Sequence, residues 1–120
     1  MDIRIDIASQ EMTEREVAAL SRDIGDALLR ARNADSVEPV AASGPEGAKG
    51  VASLIGSLLV GLPVEAITGA LEVIKAIALR PGQPPFIMKM TRDTVEVSFD
   101  PRRITPDQVA KLAKQLRPPE

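Results

Sequence analysis

The chain's 120 residues include no histidine, cysteine, tyrosine or tryptophan. That removes the commonest general base, the thiol nucleophile, and the imidazole and thiolate metal ligands together. Carboxylates, lysines, arginines and serines are what remain for chemistry. Ser53 and Ser57 are the best nucleophile candidates, yet both lie in an apolar stretch with no base placed to activate them. Glu14 and Glu16, and Asp23 and Asp26, fall off the apolar stripe of an amphipathic helix and read as solvated surface. No catalytic, cofactor-binding or metal-binding residue is expected, and no enzymatic activity.

One glycine-rich turn is more suggestive. Gly44, Gly47 and Gly50, with Lys49 among them, stand between a strand and an apolar run. Backbone amides at such a helix start can cradle an anion. A nucleotide-binding loop, however, needs Gly-Lys followed by Ser or Thr, whose hydroxyl holds magnesium. Here Ala48 separates Gly47 from Lys49, and Gly50 stands where the hydroxyl belongs. Gly47, Lys49 and Gly50 are therefore at most a weak anion turn. The alternative is that the glycines simply let the chain turn into a buried helix whose first amides need some acceptor.

The elements that would position these groups follow from periodicity. Asp2 to Ala8 alternates Ile3, Ile5 and Ile7 with Asp2, Arg4 and Asp6, the pattern of a half-buried strand. Thr13 to Glu16 is a capping box. Val17, Leu20, Ile24, Leu28 and Ala31 then continue one helix to about Arg32, with Asn33 as its left-handed stop. Val37 to Ala41 reads as an edge strand, because Pro39 has no amide to donate. The first two strands are expected to run parallel, joined by a crossover.

Val51 to Val64 carries no charge. Val51, Leu54, Ile55, Leu58, Leu59 and Leu62 form a helical stripe, backed by the small face of Ala52, Ser53, Gly56, Ser57 and Val60. Gly61 and Pro63 break this helix, and a second runs from Pro63 to about Leu79. Phe86–Thr91 and Thr94–Phe99 form a hairpin whose glycine-free turn predicts a loop longer than two residues. Thr105 to Gln108 is a second capping box, opening a helix with Val109, Leu112 and Leu116 buried. The expected order is β-α-β-α-α-β-β-α. It describes one α+β domain over residues 1–120, with a single-layer four-stranded sheet and helices packed on one face.

Net charge is −2, divided as −5 over residues 1–79 and +3 over 80–120. The basic closing segment, with Arg102, Arg103, Lys111, Lys114 and Arg117, lacks aromatic residues to stack on bases, so nucleic acid is not an expected partner. Asp2, Arg4 and Asp6 interrupt any signal peptide, and the expected localisation is cytoplasmic. A helix with few polar positions around its circumference must be covered on all sides, which one sheet cannot do. The small face of Ala52, Ser53, Gly56, Ser57 and Val60 is therefore expected to be an interface, with a second copy or another protein. Insertion or docking of the 51–79 stretch at a membrane is the alternative. Against spanning, the uncharged run ends at Val64 and is followed by Glu65.

The succession of a short strand and helix, the Gly47-Ala-Lys-Gly50 turn, an apolar small-residue helix, a second helix ending Leu71-Glu-Val-Ile-Lys75, a hairpin and a helix opened by Ile104-Thr-Pro-Asp-Gln-Val109 resembles a family. It is similar to the small bacterial proteins called effector-associated constant components. The resemblance covers nearly the whole chain, although the hairpin turn carries Arg92-Asp93-Thr94 where the family usually has Asp-Gly. It implies a non-enzymatic adaptor or sensor that accompanies effectors, such as proteases, in conflict or programmed-death systems. It supplies no catalytic residues.

Overall fold

The computed structural model describes residues 1–40 and 55–118, and of Ile55 the backbone alone. Its elements are β1 (Asp2–Ala8), α1 (Glu14–Arg30), β2 (Ser36–Pro39), β3 (Ile55–Gly61), α2 (Ile67–Ala78), β4 (Ile87–Arg92), β5 (Val95–Phe99) and α3 (Pro106–Leu116). A single 3-10 turn, Val64–Ala66, leads into α2. The chain is α+β, as its periodicities predict, but among the described residues the sheet has five strands, in the order β2-β3-β1-β4-β5. Every neighbouring pair is antiparallel.

The additional strand is the main correction. Ile55 to Gly61, expected within a helix over Val51–Leu62, is β3. In a short run of apolar and small residues, helical and alternating patterns share members, so periodicity cannot separate them. What decides is the slot between β1 and β2. Asp2 through Ala8 pairs with Gly61 through Ile55 on one side, and Ser36 through Pro39 pairs with Gly61 through Leu58 on the other. Both sets of backbone groups are thereby satisfied. The observed order over the described residues becomes β-α-β-β-α-β-β-α.

Insertion of β3 also changes how β1 and β2 relate. They point the same way, as a crossover requires, but β3 lies between them. Likewise β3 and β4 are joined through α2 and separated by β1. Two split β-α-β units thus interleave. The β4–β5 hairpin and α3 extend this unit.

All three described helices cover one face. Ile3, Ile5 and Ile7 of β1, Leu58 and Val60 of β3, and Met88 and Met90 of β4 are buried beneath them. From above, α1 supplies Val17, Leu20, Ile24 and Leu28, while α2 supplies Ile67, Leu71, Ile74 and Ile77. α1 lies over β3 and beside α2, and α2 packs beside α3. Phe86 is the one buried aromatic residue, so the core is otherwise aliphatic and Met.

Local signals explain the helix ends. Thr13 and Glu16 form the reciprocal cap, with Thr13 N–H donating to Glu16 Oε1 at 2.8 Å. Thr105 and Gln108 repeat it on α3. At the end of α1 the left-handed residue is Arg32, at φ 60°, one position before the expected Asn33. Asn33 instead donates its amide to Leu28 O at 2.9 Å and Arg32 donates to Leu29 O at 3.1 Å, a complete Schellman closure. Register decides the position: these two bonds need the left-handed residue directly after the cap at Ala31.

The β4–β5 turn is also tighter than expected, with only Asp93 and Thr94 between the paired Arg92 and Val95. Asp93 adopts φ 53°, a conformation that aspartate tolerates better than most side chains. Its carboxylate accepts from Arg92 at 3.0 Å, which steadies the turn without glycine.

Candidate functional site

The residues singled out in the sequence are not brought together. Gly47, Lys49 and Gly50, the anion turn, lie outside the described residues, as do Ala52 and Ser53 of the small face. The rest of that face is split by the alternation of β3. Gly56 lies on the helix side, where an added Cβ would overlap Ser21 Oγ and approach Val17 Cγ1 to 3.0 Å. Val60 is buried in the core. Ser57 alone is on the opposite face, where its hydroxyl donates to Asp6 Oδ1 at 2.5 Å. A strand turns alternate residues to opposite sides, so one interface made of Gly56, Ser57 and Val60 together cannot form.

What the strands do assemble is the face away from the helices. Its central row, read across the sheet, is Glu38, Leu59, Arg4, Thr91 and Glu96. The adjacent row is Ser57, Asp6, Lys89 and Ser98, and beyond it Ala8 lies opposite Ile87. None of the described helices covers this surface. Leu59 is 39% and Ile87 48% exposed, at opposite corners of these rows with Asp6 between them.

Four of the charged side chains on this face pair with one another. Arg4 Nε lies 3.1 Å from Asp6 Oδ1, the same oxygen that accepts from Ser57. Lys89 Nζ lies 3.8 Å from Glu96 Oε2 along the hairpin. Such pairs neutralise the surface locally but add little stability in the solvent they face.

Two depressions open here. One, of about 540 Å³, is walled by Arg4, Asp6, Lys89, Thr91 and Ser98 and floored by Ala8 and Ile87. The second, of about 490 Å³, shares Ala8 and Ile87 and continues to Ser9, Gln10, Glu11, Pro85, Phe86 and Asp100. Within it Ser9 Oγ donates to Pro85 O at 2.8 Å and accepts from the Glu11 amide at 3.2 Å. That hydroxyl is committed to tying β1 to the start of β4. Asp100 is likewise engaged, accepting from the Arg102 amide at 3.0 Å and pairing with the guanidinium of Arg102 at 3.5 Å and of Arg103 at 3.6 Å.

The signal for this surface was present in the alternation of β1, whose Asp2, Arg4 and Asp6 side is the outer face. Ile87 gave no such signal, because an apolar residue beside Phe86 reads as core until the register is known. Among the described residues there is no cluster of three metal-ligating acidic side chains. No helix among them is long and apolar enough to cross a membrane. Comparison of the chain with protein-family models, with curated proteins and with solved structures returns no match.

Proposed function

We propose that the chain is a non-enzymatic adaptor that docks a protein partner on the uncovered face of its sheet. The observation that carries this reading is the outer face itself: no described helix covers it, Leu59 and Ile87 are exposed on it, and Arg4–Asp6 and Lys89–Glu96 are paired between them. Exposed aliphatic side chains set among internally paired charges suit a protein surface of mixed character. The docking surface thus moves from the expected small face to the other side of the same strand. In line with the resemblance to effector-associated constant components, the partner is an effector protein, such as a protease, of a bacterial conflict or programmed-death system. The adaptor contributes contact and placement, and the effector contributes the chemistry.

The experiment is site-specific photocrosslinking from position 87 in cells that make the protein, with mass spectrometric identification of the product. An effector protein should be captured, and Leu59→Asp should abolish capture while leaving the circular dichroism unchanged. Crosslinks only to lipid, only to the chain itself, or to nothing would overturn the reading.

A further inference from the structure

The sheet ends in two dissimilar edges. β2 is four residues long and includes Pro39, which has no amide to offer a further strand. β5 is Val95–Phe99, with no proline. Its two-residue turn makes Arg92 and Val95 a hydrogen-bonded pair, so Met90–Val97 and Met88–Phe99 are hydrogen-bonded pairs as well. The amides and carbonyls of Glu96 and Ser98 therefore point away from β4. Among the described residues no other backbone group bonds to them. The core is also open along this rim. Val97 and Phe99, and Leu112 of α3, are only partly buried.

We propose that β5 is the seam of a homodimer, pairing antiparallel with β5 of a second copy so that the two sheets become continuous. Outward groups must meet outward groups, which leaves three two-fold registers within the strand. One sets Glu96 against Glu96 of the partner subunit. Another sets Glu96 against Asp100 of the partner subunit. Both oppose like charges. The third, centred on Val97, sets Glu96 against Ser98 of the partner subunit twice over and uses the full length of β5. Charge thus selects one register. Each hydroxyl can donate to the facing carboxylate, and the half-buried rim of Val97, Phe99 and Leu112 is covered from the second copy. This seam is independent of the effector docking proposed above and leaves the outer face free.

The register supplies its own test. Ser98 lies across from Lys89 within the chain, so Ser98→Glu gains a cation in the monomer but faces Glu96 across the seam. Light scattering on the full chain, in a series reaching about 0.1 mM, should give twice the chain mass of 12.8 kDa. Ser98→Glu should raise the dissociation constant at least about tenfold through two symmetric repulsions. Adding Glu96→Lys to Ser98→Glu makes both contacts attractive and should restore the dimer. A wild-type chain at monomer mass throughout, a dimer indifferent to Ser98→Glu, or a double variant that stays apart overturns the seam. Hydrogen exchange on the wild type needs no variant to fold. The Glu96 and Ser98 amides should be protected at high concentration and exchange freely on dilution; free exchange at both also overturns it.

Discussion

Along β1, Ile3, Ile5 and Ile7 are sealed beneath the helices, while Arg4 and Ala8, one residue away, stand in solvent. The same contrast holds along β3, where Leu58 and Val60 are buried and Leu59 is exposed. Both faces are made by the same strands at the same spacing, so their difference lies in what covers them. On the helix side every change of volume is resisted by close-packed neighbours. On the outer side a side chain has water as an alternative partner, and the same substitution costs little. A sheet so divided can lend one face to stability and keep the other for contact.

Truncation should show the contrast most strongly. Ile24→Ala, in the fully buried row of α1, is expected to destabilise by about 2–5 kcal/mol, whereas Leu59→Ala on the outer face should stay within about 0.5 kcal/mol. Urea unfolding of the two variants reads both values. Equal losses would erase the distinction between the faces.

The two arginines come next. Arg92, 8% exposed, lies on the helix side and donates to Leu116 O at 2.5 Å and Arg117 O at 3.1 Å. It thereby satisfies and electrostatically complements the C-terminus of α3. Arg92→Met leaves those carbonyls without their charged donor and should cost about 1.5–3 kcal/mol, with faster amide exchange at the end of α3. Arg4→Met, in the outer row, should cost less than about 1 kcal/mol. A stable Arg92→Met with an unfrayed α3 would show that the buried guanidinium is not the helix's terminus partner.

Glycines sharpen the comparison further. A Cβ at Gly56 meets Ser21 Oγ and the Val17 carbonyl of α1, whereas one at Gly61 meets the side-chain oxygens of Ser36 and Asp2, which can swing into solvent. Gly56→Ala is therefore expected to lower stability by about 1–3 kcal/mol through overpacking, and Gly56→Leu by more. Gly61→Ala should be near neutral. Thermal midpoints decide this, and a Gly56→Leu midpoint at or above wild type would mean that α1 does not press on β3.

The smallest effect belongs to the outer ion pair. A double-mutant cycle on Arg4 and Asp6 should give a coupling of about 0.2–1 kcal/mol that shrinks on adding salt. A larger, salt-insensitive coupling would mean that the outer face is itself covered in solution.

Much of this was legible locally. The alternation of β1 announced both of its faces, and the Thr13 and Thr105 capping boxes announced where two helices begin. Legibility failed where a residue's partner is distant in sequence. By side-chain type Asn33 is the better candidate for a left-handed stop, and Arg32 takes the position only because the closing hydrogen bonds require it. Arg92 looks like a turn residue until α3 is laid across it. Ser57 looks like a member of a small helical face until Asp6, fifty-one positions earlier, takes its hydroxyl.

The sequence by itself determined the α+β class, the caps, the strong amphipathic elements and the absence of histidine and cysteine chemistry. Each of these depends on side-chain type and near-neighbour spacing. Only the tertiary structure decided that Ile55–Gly61 is a strand. Its apolar residues satisfy a helical and an extended pattern equally, and the choice is made by backbone groups of β1 and β2 that are far away in the chain. The same pairing decided which residues face solvent. Shifting a strand by one position exchanges its two faces, and no local propensity measures that register.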